Sequence, residues 1–157
     1  MKLLEFVARE AIITDLKATT KEAAIREIVR SLHHADCFRE ADQEGVARAL
    51  LDREALGTTG VGRGVACPEA RHHAVDRVIG TIALSRSGVD FGAIDGEPVD
   101  ILTLLLGAPR TPGDFLLAGR ILSQHLADER FCSRLRQART REQVIAVLEE
   151  ADRGIRE

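Results

Sequence analysis

The chain has 157 residues, 45% hydrophobic and 30% charged, with a formal net charge of -3. That is enough for one domain to bury a core without metals or disulfides. The charge balance excludes the clustered Lys and Arg of a nucleic-acid binder, and five Phe with no Trp or Tyr leave no stacking platform for single strands or sugars.

Leu3 to Val7 is apolar on one side and predicts a helical turn or two. Thr19-Thr20-Lys21-Glu22 reads as a capping box with Thr19 at the N-cap, followed by Ile25, Ile28, Val29 and Leu32 at helical spacing. His33 and His34 end that helix; neighbours on a helix point apart, so they suit its negative C-terminus better than a shared metal. A second helix is predicted over Asp42 to Glu54, with Val46, Ala49, Leu50 and Arg53 on one stripe and Gly57 as the stop.

Four glycines then crowd into eight positions, Gly57-x-x-Gly60-x-Gly62-x-Gly64, before a short apolar strand that Pro68 stops. Glycine at this density lets backbones approach and lets N–H groups converge on an anion. The run lacks the Gly-Lys-Ser/Thr ending of a P-loop and does not join a strand to a helix as a dinucleotide fingerprint does. It reads as a backbone-rich wall beside a reactive centre.

Val78 to Leu84 is apolar on both faces, as an interior strand is, and Ser85 to Asp90 is expected as a loop. Asp95-Gly96 is a turn signal that leads into a second buried strand from Val99 to Leu106, closed by Gly107 and Pro109. Asp100 reads as a solvated strand end. Thr111-Pro112-Gly113-Asp114 opens a helix with Phe115, Ala118, Leu122 and Leu126 on its core stripe. A short helix around Phe131 and Leu135 follows, and Thr140-Arg141-Glu142-Gln143 caps a last one carrying Val144, Val147 and Leu148. Arg130, Arg134, Arg136, Arg139 and Arg141 form a basic run, read as a solvated face. The expected organisation is one domain over 1–150 and a charged tail over 151–157.

Cys37, Cys67 and Cys132 have neither zinc-knuckle nor redox spacing and read as small core residues of a reducing compartment; no metal and no cofactor is expected. No secretory pattern opens the chain and no apolar run reaches membrane-spanning length, so the cytoplasm is the expected location, without membrane insertion. No heptad or patch speaks for an oligomer.

Three blocks resemble the type-2 enzyme IIA domain of the bacterial phosphotransferase system, above all its nitrogen-related branch. They are Leu51-x-Arg53-Glu54-x-Leu56-Gly57-x-Thr59-Gly60-Val61-Gly62-x-Gly64-Val65-Ala66-x-Pro68, then Phe91-x-Ala93-Ile94-Asp95-Gly96-x-Pro98-Val99-Asp100-Ile101-Leu102, then Leu126-Ala127-Asp128 running into Cys132-x-x-Leu135-Arg136-x-Ala138. The resemblance implies an α/β fold, a central mixed sheet with helices on both faces. It also implies a histidine after the Pro that takes a phosphoryl group from a histidine-containing phosphocarrier, with Arg53, Thr59, Gly60, Gly62 and Gly64 holding the phosphate and a second histidine assisting.

The match breaks at the reacting positions. Glu69 follows Pro68, Ala70 replaces the next glycine, and counting back from Leu126 puts the second histidine's place at Phe115. Transfer through the family's mechanism needs a neutral ring nitrogen; a carboxylate repels the incoming group, and Phe115 offers no donor. The leading expectation is a regulatory module that binds a protein partner, a phosphocarrier or a regulated kinase or transporter, and no longer transfers phosphate. A fixed charge at Glu69 standing in for a phosphoryl group is the sharper version of that reading. The alternatives are a working carrier that uses His72 or His73, and a small-molecule or anion sensor.

Overall fold

A computed structural model describes residues 1–154. Six α-helices and five strands lie in these residues: α1 (Leu3–Phe6), α2 (Lys21–His34), α3 (Gln43–Leu56), β1 (Gly60–Gly62), β2 (Val65–Ala66), β3 (Glu69–Arg71), β4 (Ile79–Val89), β5 (Val99–Gly107), α4 (Pro112–Leu126), α5 (Glu129–Gln137) and α6 (Arg141–Arg153). The architecture is mixed α/β, as the resemblance implies.

β5 is the middle of the sheet because its residues are apolar on both faces. Along one edge it pairs parallel with β2 (Val65↔Ile101) and then β3 (Glu69↔Leu105), which together act as one strand interrupted at Cys67-Pro68. Along the other edge it pairs antiparallel with β4. β1 folds back on β2 as a hairpin. The pleat splits the core in two: Leu102, Leu104 and Leu106 pack toward α2 and α3, while Ile101 and Leu105 pack toward α1, α4, α5 and α6.

Several expectations are corrected. Thr20, not Thr19, caps α2, its Oγ1 accepting from Ala23 N–H at 3.4 Å, because the Thr19 carbonyl accepts from Asp90 N–H at 2.8 Å. The buried stripe of α3 is Val46, Ala47, Leu50 and Glu54. Ser85 to Val89 is not a loop: β4 continues through it with an irregularity in register after Leu84 and rejoins β5 at Val89↔Val99. The apolar pattern fades there because Arg86 and Ser87 are exposed, while the strand runs on and pairs with β5 again at Val89.

The tail boundary shifts as well. α6 runs on to Arg153, and Asp152 is buried, accepting the Leu3 N–H at 2.7 Å and the Leu4 N–H at 3.1 Å. The stretch read as a tail therefore holds the two ends of the domain together; 155–157 lie outside the described residues. Asp100 is no solvated strand end: Arg136 Nε lies 2.8 Å from its Oδ2. In the basic run, Arg134 pairs with Glu150, and Arg141 donates to the Glu10 carbonyl at 3.0 Å.

Candidate functional site

The elements that position the site are the end of α3, the glycine hairpin, β3 and the start of α4. Glu54, on the buried stripe of α3, is 6% exposed, and a carboxylate so placed requires partners. Its oxygens accept the Thr59 N–H at 3.2 and 3.1 Å, accept the Thr59 hydroxyl, and pair with Lys21 Nζ at 3.2 Å. The same ammonium sits 4.9 Å from the Phe91 ring centre, a cation–π contact. This network ties α2, α3 and the loop before β5 to the root of the hairpin. The Thr59 carbonyl in turn accepts from Cys67 N–H at 3.0 Å. Glu54 stood in a quoted motif without a role; an acid four residues past Leu50 on a core stripe was the available signal.

The hairpin itself is dense rather than open. A Cβ on Gly60 would meet the Ala93 Cα at 2.8 Å, one on Gly62 the Asp95 carboxylate at 3.2 Å, and one on Gly64 the Asp100 Oδ1 at 2.7 Å. Gly62, Arg63 and Gly64 all have positive φ, the left-handed run of a tight turn. Two of the residues expected to hold an anion have their amides engaged: Thr59 N–H donates to Glu54 and Gly60 N–H to Thr58 Oγ1 at 3.0 Å; between the glycines, Arg63 N–H donates to Asp95 Oδ2 at 3.0 Å. Asp95 and Asp100 approach Gly62 and Gly64 closely enough to leave no room for a side chain there. Arg53 is also turned aside: its Nη1 donates to the Gly57 carbonyl at 2.9 Å, closing the end of α3.

β3 sends its side chains alternately to the two faces of the sheet. Glu69 looks to the α4 side, where a Cβ on Gly119 would lie 3.9 Å from its Oε2. It is half-buried and has no ion-pair partner among the described residues. Phe115 lies on the same side, over Gly107, where a Cβ would come within 2.5 Å of its Cδ1; Gly107 pairs with Arg71, two residues past Glu69. Glu69 and Phe115 thus share a face. Burial pushes up the pKa of Cys67, two residues before Glu69, which favours the protonated thiol.

His72 falls on the opposite face. A Cβ on Gly45 of α3 would sit 3.1 Å from its Nε2, and its Nδ1 accepts the Ala74 N–H at 2.9 Å. An accepting Nδ1 assigns the proton of the neutral ring to Nε2. Burial lowers the His72 pKa, and the adjoining His73 lowers it further; the two ring centres are 4.3 Å apart. His73 is exposed beside His33, Asp36 and Asp42 in a cleft at the end of α2. Neither imidazole is brought to the hairpin or to Glu69. Among the described residues no His, Cys, Asp and Glu groups assemble a metal site, and no helix is long and apolar enough to cross a membrane.

The family model described as phosphoenolpyruvate-dependent sugar phosphotransferase system, EIIA 2, matches residues 5–151. The chain belongs to this family. A nitrogen regulatory protein of Bradyrhizobium diazoefficiens is 33% identical over 148 residues, which cover 94% of this chain and 95% of that one. The fructose-specific EIIA component of Haloferax volcanii is 35% identical over 141 residues, 90% of each chain. Among solved structures, the nitrogen regulatory protein IIA-Ntr of Neisseria meningitidis superposes with a TM-score of 0.79 at 30% identity, covering 92% of this chain and 97% of that one. The enzyme IIA mannitol of Escherichia coli, solved in complex with phosphorylated enzyme IIB mannitol, gives 0.73 at 25% identity over 90% of this chain and 95% of that one. In this EIIA chain the first two sequence blocks that carried the resemblance cover the end of α3, the hairpin and the start of β5, and the third, at the end of α4 and in α5, meets them where Arg136 Nε donates to Asp100 Oδ2 at 2.8 Å.

Proposed function

We propose that this EIIA-family protein is a cytoplasmic regulatory module that binds a protein partner and no longer carries phosphate. Glu69 stands at the phosphoacceptor position and Phe115 at that of the second histidine. The observation that carries this reading is the single face shared by Glu69 and Phe115, which presents a carboxylate and a phenyl ring and no nucleophilic nitrogen. Transfer by the family's route needs a neutral ring nitrogen in line with the incoming phosphorus and a donor to hold the transferred oxygens; this face offers a carboxylate, whose charge repels the incoming group, and a phenyl ring without a donor. His72 supports the same reading, because its Nδ1 lone pair is taken by Ala74 N–H. The partner is a phosphocarrier of the phosphotransferase system or a kinase or transporter under its control.

Mixing the protein with a phosphorylated histidine-containing phosphocarrier and weighing it intact tests the proposal. No mass gain is expected. A gain of one phosphoryl group that disappears in the His72→Ala/His73→Ala double variant overturns it in favour of a working carrier.

A further inference from the structure

A cleft of about 640 Å³ opens beside the C-terminal end of α2, and none of its lining residues belongs to the hairpin, β3 or α4. Three stretches wall it: Leu4 to Glu10, Ala35 to Cys37 just past α2, and His73 to Arg77 between β3 and β4. Backbone bonds hold these walls. Ala8 N–H donates to the Gly80 carbonyl at 2.7 Å, Cys37 N–H to the Leu32 carbonyl at 3.0 Å and Val75 N–H to the His72 carbonyl at 3.4 Å. Walls fixed in advance spare a ligand the entropy of ordering them.

The cleft carries charges of both signs. Arg9 and Arg77 stand with Glu5, Glu10, Asp36 and Asp76, and none of the six forms an ion pair among the described residues. All six are exposed, so a solute reaches them without any opening of the fold. Burial raises the pKa of the Cys37 thiol, Arg77 lowers it, and Glu10 and Asp36 raise it. One cation and two acids, each from a different wall, thus converge on the same thiol.

Opposite charges that share a cavity without pairing suit a ligand that bears both signs. Four acids against two guanidiniums give the cleft an excess of negative charge, so the matching ligand is more cationic than anionic. Guanidinium forks fit one planar carboxylate, and carboxylates fit groups that only donate, such as ammonium or guanidinium.

We infer that this cleft binds a basic α-amino acid. Arg9 and Arg77 hold its carboxylate, while Glu10, Asp36 and Asp76 hold its ammonium and its side-chain cation. The ligand bridges three stretches that no ion pair links directly among the described residues, and its binding stabilises the fold by mass action. The inference stands apart from the proposed function.

Titration calorimetry of the full chain with L-arginine and L-lysine tests it, and at least one of the two is expected to bind saturably. The same molecules without the carboxylate, agmatine and cadaverine, are expected to bind about tenfold more weakly, and L-glutamate not measurably. Arg77→Gln weakens the amino acid about tenfold and leaves its decarboxylated counterpart unchanged. Asp36 has a φ of 61°, a left-handed position past a helix end that glycine fills at least cost. Asp36→Gly therefore keeps a urea midpoint at least as high as the parent's while weakening both molecules, and Asp36→Asn, of like shape without the charge, gives the same loss. Absence of saturable binding by both amino acids overturns the inference. So does equal binding of the decarboxylated amine or of L-glutamate, or an affinity unchanged in Arg77→Gln or in the two Asp36 variants. None of these outcomes touches the reading of Glu69 and Phe115.

Discussion

On one side of β3 the Glu69 carboxylate faces α4 across Gly119; three residues later the His72 ring faces α3 across Gly45. The first side has an acceptor without a donor. The second has a ring whose accepting nitrogen is satisfied by Ala74 at 2.9 Å. Three is an odd number on a pleated strand, so a side chain three positions away turns to the opposite face of the sheet. Proximity in sequence to a reactive position therefore says little unless the parity of the spacing is right. That parity separates the carboxylate beside α4 from the imidazole beside α3.

The comparison breaks most sharply if an imidazole is returned to the α4 side. The Glu69→His/Phe115→His double variant is expected to gain a phosphoryl group from a phosphorylated carrier where the parent gains none, read by intact mass, and Glu69→His alone, which still lacks a donor at residue 115, is expected to gain far less. Next in size is Glu54→Ala, which strips the hairpin root of its anchor and strands the Thr59 N–H and hydroxyl. A loss of about 3 kcal/mol is expected by urea unfolding, with weaker partner binding.

Asp152→Ala leaves the Leu3 and Leu4 amides without their buried acceptor. It is expected to cost about 2 kcal/mol by the same measurement, opening the α4 side at its far end. The smallest effect belongs to the α3 side. The folded His72 pKa lies below its ordinary 6.5, so the unfolded chain takes up the proton first as pH falls. Stability is then complete above about pH 6.5 and declines as pH drops through the folded value. His73 lowers the His72 pKa, whereas Asp42 raises it. In His72→Asn, whose amide oxygen can accept from Ala74, the urea midpoint is expected to fall less between pH 7 and pH 5.

Much of the fold was legible because its signals are local. Ile25, Ile28, Val29 and Leu32 carry the 3.6-residue period of a helix with one buried face, and all four are buried. The run from Ile101 to Leu106, apolar except for Thr103, marks a strand covered on both sides, and β5 is the sheet's centre. The extension of β4 past Ser85 was illegible because Arg86 and Ser87 are exposed and break the apolar pattern, while the return to pairing at Val89↔Val99 depends on a partner strand ten residues away. Asp152 was missed because an acid near a chain end resembles a solvated residue until the amides it serves, 149 and 148 positions away, come into view.

The sequence by itself determined the family and the order of the main elements, since these are matters of residue identity and spacing along one dimension. Tertiary structure alone decided that the glycines accommodate Asp95 and Asp100 instead of an open cradle, that Arg53 turns to the end of its own helix, and that His72 faces away from Glu69. The physical reason is that a side chain's direction, and the partner already holding it, depend on pleat, register and packing between residues far apart in the chain.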